Sequence, residues 1–218
     1  MSNVMLEQIA IATWQTIYMV LISSAIATII GLPLGIILVL TRKNGLLQNL
    51  TVNRILAACI NALRSIPFII LLIAVVPITR FIVGTSIGTS AAIVPLTIGA
   101  FPFIARIVEV SLSEVNSGLI EAGIAMGATN LQIITKILIP EALSGMIQGI
   151  TVVIISLIGY SAMAGAIGGG GLGDLAIRYG YQRFEISIMI ITVVILIILV
   201  QLMQYAGDWL AKKWSHRG

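Results

Sequence analysis

Side chains able to do covalent or metal chemistry are few and scattered along this sequence. The 218 residues hold one cysteine, Cys59, and one histidine, His216, near the C-terminus. A structural zinc site needs four N or S ligands, and a nucleophilic dyad needs a base beside its nucleophile. Cys59 and His216 supply neither pattern. Cys59 sits in an apolar run and reads as a small buried hydrophobe rather than a reactive thiol. Gly168, Gly170 and Gly173 spell G-x-G-x-x-G, but no strand precedes the match, and a lone match is weak. The chain has no G-x-x-x-x-G-K-[ST] phosphate loop. The reading therefore gives no catalytic residue, no metal site and no cofactor bound to this chain.

Lipid-facing helices are the elements that hold what remains. The chain is 59% apolar and 9% charged, whereas a soluble domain carries about 25% charged residues. So little charge cannot coat a water-facing surface. Uncharged stretches run over 8–41, 65–79, 81–105, 142–173 and 186–207. A membrane-crossing helix needs roughly 20 apolar residues. The expected fold is an all-α integral membrane protein with five transmembrane helices, near 13–40, 56–77, 91–111, 141–165 and 186–207. Residues 1–218 read as one transmembrane domain with no internal repeat and no soluble domain. The first apolar run has no basic residues before it and is too long for a secretory signal.

Lysine and arginine placement sets the orientation. With the N-terminus outside, Arg42, Lys43, Arg54, Arg106, Lys136, Lys212, Lys213 and Arg217 fall on the cytoplasmic side, against Arg80, Arg178 and Arg183 outside. The C-terminus is then cytoplasmic. Arg64 and Arg106 lie at span edges toward that side, where snorkelling to the interface is favoured over a buried role. Pro33, Pro67, Pro77, Pro95 and Pro102 lie in or beside spans, where freed carbonyls must find other partners.

The connection between spans three and four, Asn116–Pro140, is too interrupted to be a span. Leu119–Met126 is expected to make about two helical turns. Gly127 permits a chain reversal. Thr129 is a suitable N-cap, and Gln132 three residues later completes a capping box. Leu131, Ile134 and Leu138 fall on one side of the following helix, with Ile133 and Ile137 adjacent. Pro140 is expected to end that helix and begin the turn into span four. The product is a compact cytoplasmic knob that a cleft in a soluble partner can grip.

This segment resembles the EAA loop of ABC importer permeases. Glu121, Ala122, Gly123, Gly127, Ile137 and Pro140 fall in register, with Gly123 in place of an alanine and Ile139 in place of a leucine. The resemblance implies ATPase-docking residues Glu121, Ala122, Gly123, Met126, Gly127, Ala128, Ile137 and Pro140. It also implies that ATP and magnesium are bound by a partner ATPase, whose closure drives alternating access in the pore.

Further stretches look like the methionine ABC importer permeases: RSIPFIILL from Arg64, VGTSIG from Val83, AAIVPLT from Ala91, PFIAR from Pro102 and GYSAM from Gly159. The glycine run Gly168–Gly171 is shared with betaine and phosphonate permeases. The resemblance covers nearly the whole chain. It implies a bacterial inner-membrane homodimer with two ATPase copies and an extracytoplasmic methionine-binding lipoprotein, carrying L- and D-methionine. Nucleic acid is not an expected partner. In such a dimer span four would meet its copy at the axis. Met163 would then be a soft plug, and Tyr160 and Ser161 would offer hydrogen bonds to a solute; packing between helices explains the same three residues. A permease for betaine, phosphonate or another amino acid is the alternative. A stand-alone ion-coupled transporter would show mid-membrane ionisable groups and inverted repeats.

Overall fold

The computed structural model describes residues 3–214, and no strand occurs among them. His216 and Arg217 lie outside the described residues. Four helical stretches are long and apolar enough to cross a membrane: 4–41, 89–113, 130–166 and 186–213. A bent pair of shorter helices supplies a fifth candidate.

The frame is α1 (Asn3–Thr41) packed along α5 (Thr89–Ser113). Two small residues allow the approach. A Cβ on Gly31 would lie 2.8 Å from the Phe101 carbonyl oxygen, and one on Gly35 would lie 2.5 Å from that of Ala105. Gly31 and Gly35 form a G-x-x-x-G face, which lets membrane helices meet backbone to backbone. Leu96, Ile104 and Val108 of α5 are fully buried. In lipid this association rests on close packing rather than water exclusion.

The expected span at 56–77 is broken. It divides into α2 (Leu50–Ser65), α3 (Phe68–Ala74) and α4 (Val76–Val83). The axes of α2 and α3 differ by 103°. The cause is Pro67, because the ring disfavours helical geometry in the residue before it. Ile66 is accordingly extended, at φ −80° and ψ 122°. The start of α2 is pinned to the end of α1 by Asn53 Nδ2, which donates to the Leu38 carbonyl at 2.7 Å. Ile60 is the buried residue of α2, and Cys59 is exposed on its outer side, not buried as its apolar neighbours suggest.

The connection begins with α6 (Ser117–Ala125) and α7 (Asn130–Ile133). A π-helical turn, Ile134–Leu138, then leads into α8 (Ile139–Ala166). Pro140 does not end the helix, contrary to the sequence expectation. The Ile139 N–H bonds back five residues to the Ile134 carbonyl. This wider turn accommodates a ring that would otherwise strike the carbonyl four residues earlier. The knob's second arm is therefore one rod with α8.

At the far end of α8 the glycine run turns the chain into α9 (Gly171–Leu175). Gly170 and Gly171 have φ near +80° (77° and 79°). Two α1 side chains cap the new helix: Gln15 Oε1 accepts from the Gly171 N–H and Thr16 Oγ1 from the Leu172 N–H, both at 2.9 Å. The run is a packed structural turn. A second π turn (Ala176–Tyr181) leads to α10 (Ile186–Lys213), which returns along α8.

Candidate functional site

The knob is built from local signals. Asn116 caps α6, its Oδ1 accepting from the Gly118 N–H at 2.8 Å. The far end closes as a Schellman motif. Ala128 N–H donates to the Gly123 carbonyl at 3.0 Å and Gly127 N–H to that of Ile124 at 2.9 Å. Gly127 has φ +77°, the left-handed conformation this motif needs. Thr129 and Gln132 form the expected capping box, with Thr129 N–H donating to Gln132 Oε1 at 2.9 Å.

Packing then decides which side chains remain available. Gly123 is buried, and a Cβ there would lie 2.8 Å from Ile137 Cδ1. The isoleucine fills the place that alanine would take, which gives a physical reason for the departure at Gly123. Ile133 and Leu138 are buried, five residues apart, the register of the π turn. Leu131, expected on that apolar side, instead stands 69% exposed. With Met126 (80% exposed) and Ile124 (54%) it forms an apolar tip. Glu121 and Ala122 are exposed beside it, Ala128 and Pro140 are half-buried. Glu121 also lines a cavity of about 500 Å³ between the knob and the Arg42–Leu46 turn.

Basic residues collect at this end of the bundle. Arg42 Nη1 donates to Ser113 Oγ at 2.7 Å, tying the ends of α1 and α5 together. Ser144 Oγ donates to the Ala211 carbonyl at 3.2 Å, which sets the end of α10 beside the start of α8. Arg42, Lys43, Arg54, Lys136, Lys212 and Lys213 thus share the knob's end, whereas Arg80 and Arg178 sit at the other. Arg106 pairs with Glu109 at 2.7 Å.

The three α8 residues expected at a gate have different surroundings. Ser161 is buried, its Oγ donating to the Ile158 carbonyl at 2.7 Å. Tyr160 is stacked on Phe68, with ring centroids 4.4 Å apart and 6° between planes. Met163 is 38% exposed. It continues a surface stripe of Gln148, Val152, Ser156 and Gly159, which are also exposed.

The family described as "binding-protein-dependent transport system inner membrane component" matches residues 31–216. The chain belongs to this family. It is a multi-pass membrane protein and a transport subunit rather than an enzyme. It is 57% identical over 206 residues to the probable D-methionine transport system permease protein MetI of Vibrio cholerae, covering 94% of this chain and 92% of that protein. It is 51% identical over 165 residues to the D-methionine transport system permease protein MetI of Escherichia coli K12, covering 76% of each. A solved structure of the MetNI methionine ABC transporter, in an inward-facing conformation, contains a chain that superposes with TM-score 0.97 at 48% identity, covering 99% of this chain and all of that one.

Sequence reasoning missed three features of the site. The G-x-x-x-G of Gly31 and Gly35 was legible as a motif. The break at Pro67 was signalled by an X-Pro pair inside a span that already needed Arg64 to reach full length. The aromatic neighbours of Tyr160 had no sequence signal, because they come from α3 and α5.

Proposed function

We propose that this chain is the membrane permease of an ATP-driven methionine importer, acting as two copies with two copies of a separate ATPase. The observation that carries the reading is the knob. Its tip presents Ile124, Met126 and Leu131 to solvent, with the carboxylate of Glu121 beside them. Exposed apolar side chains around a soft methionine suit a cleft in a partner. A rod continuous from the knob into α8 gives that partner a lever on the pore. Basic residues at the same end support a cytoplasmic knob and C-terminus, with the N-terminus outside. ATP and magnesium belong to the partner chain.

The exposed stripe of α8 supports a twofold arrangement. Gln148 is a polar group facing outward from a membrane helix, where lipid is a poor neighbour, whereas the Ser156 hydroxyl donates to the Val152 carbonyl at 2.9 Å. A second copy or a water-filled path between copies resolves this, and Met163 would lie on that path as a plug. Methionine as cargo, in either enantiomer, rests on likeness to the D-methionine permeases and the methionine transporter structure. An extracytoplasmic binding lipoprotein would deliver it.

Labelled L-methionine uptake by the reconstituted transporter with its binding protein tests the cargo. Excess unlabelled L- or D-methionine should abolish the signal, and excess betaine or a phosphonate should leave it unchanged. Suppression by betaine or phosphonate, but not by methionine, would refute the assignment.

A further inference from the structure

Arg64 is turned onto an aromatic ring of α5. Its guanidinium carbon lies 4.9 Å from the ring centroid of Phe103. Phe103 is about 15 Å along α5 from Ser113 at 1.5 Å per residue, and about 21 Å from Thr89. Arg106, which pairs with Glu109, follows Phe103 by three residues, about 4.5 Å of rise, so the cation is held about one turn of α5 inside that charged pair. Its Nε is buried with no hydrogen-bond partner. The ion pairs among the described residues, Arg106–Glu109 and Arg178–Asp174, do not involve it. A partly buried cation without a carboxylate is costly, and an ionisable group inside a membrane bundle is a candidate for a solute pathway.

The surroundings are shaped for a ligand. Arg64 opens onto a cavity of about 210 Å³, lined also by Ser65, Pro67, Phe68, Phe103 and Tyr160. The break between α2 and α3 leaves the C-terminal end of α2 exposed to the gap: the Leu63 carbonyl accepts from the Ile66 N–H at 3.4 Å, Pro67 offers no N–H, and a helix C-terminus carries partial negative charge. The cavity thus places a guanidinium fork, the C-terminal end of α2 and the stacked pair Phe68–Tyr160 around one space. A carboxylate fits the first, an ammonium the second, and an apolar or thioether side chain the third.

We propose that this cavity is a solute-binding site within the permease, in which Arg64 holds the carboxylate of a zwitterionic α-amino acid and Phe68 and Tyr160 receive its side chain. The proposal rests on the importer reading for its context and adds the site and its chemistry. The broken span is then functional: Pro67 ends α2 at the cavity and sets Arg64 beside the aromatic pair. A charge-assisted bidentate contact also explains the need for arginine, because lysine lacks the planar fork.

The test uses the assembled permease–ATPase complex with Cys59→Ala and Ser65→Cys, which leaves one thiol in the cavity wall. The rate of thiol modification is measured with L-methionine, with methioninol, which has a hydroxymethyl group in place of the carboxylate, and with a panel of other amino acids. Methionine should slow modification several-fold and methioninol should not. In Arg64→Gln the methionine concentration giving half-protection should rise at least about tenfold, the loss of one charge-assisted contact, and discrimination against methioninol should vanish. Arg64→Lys, which retains the charge, should keep partial protection and guards against misfolding of the glutamine variant. Equal protection by methioninol, or unchanged protection in Arg64→Gln, overturns the site. A complex that imports methionine with no amino acid protecting Cys at position 65 also overturns the site but leaves the importer reading intact. Protection by another amino acid but not methionine, lost in Arg64→Gln, upholds the site and overturns methionine as cargo.

Discussion

Replacing Gly127 by alanine and Gly123 by alanine should give opposite results, although both glycines sit in the same knob. Gly127 has φ +77° and open space where a Cβ would go. The cost of alanine there is conformational, roughly 1–2 kcal/mol for a left-handed L-residue. The main neighbours of α6 are α7 and the π turn, so little tertiary packing absorbs the loss. A penalty of that size corresponds to a factor of about 5–30, which should appear as weaker ATPase binding. Gly123 is helical, and alanine there gains about 0.8–1.0 kcal/mol of helix propensity. Against this, Ile137 Cδ1 must move from 2.8 Å, an off-rotamer cost of about 0.5–1.5 kcal/mol. The two nearly cancel. Purified permease in detergent can be titrated with labelled ATPase to read both affinities. Gly127→Asn is the control, since asparagine tolerates the left-handed region. The expected order is wild type and Gly123→Ala equal, Gly127→Asn intermediate, and Gly127→Ala weakest. The reasoning fails if Gly123→Ala is as weak as Gly127→Ala, or if asparagine gives no rescue.

Met126→Asp should reduce ATPase copurification at least about tenfold, as expected for a central apolar contact, with membrane insertion and thermal stability unchanged; loss of stability would count against a docking role. Gly35→Val should be far more damaging than Gly159→Ala, because the first meets the Ala105 carbonyl at 2.5 Å and the second meets nothing within 4 Å. Yield and melting of the detergent-solubilised protein would show this, and equal behaviour would contradict the α1–α5 packing. Met163→Ala in reconstituted transporter should raise ATP-independent methionine leak; unchanged leak with unchanged uptake removes the plug role.

Much of the knob was legible because its signals are local. Asn116, Gly127, Thr129 and Gln132 each act within a few residues, and capping follows from residue type and spacing. Long uncharged runs located four of the helices for the same reason: lipid demands continuous apolar length. Failures arose where distant contacts decide. Pro140 looked like a stop until the π turn across Ile134–Leu138 absorbed it. Leu131 moved to the surface because that same turn shifts the helical register. The second span looked straight because sequence counts residues along one helix, and Pro67 makes it bend through 103°. Ser161 lies beside an exposed face in sequence but bonds into its own helix. The aromatic wall of Phe68, Phe103 and Tyr160 joins three helices, and no window of sequence contains it.

ATP-driven uptake in proteoliposomes tests the central claim most directly. Vesicles holding this chain, its ATPase and ATP on the knob's side should accumulate labelled methionine against a gradient when the binding protein is supplied on the other side. Omitting ATP or the ATPase should abolish accumulation. Accumulation by this chain alone, with no ATPase present, would contradict the account.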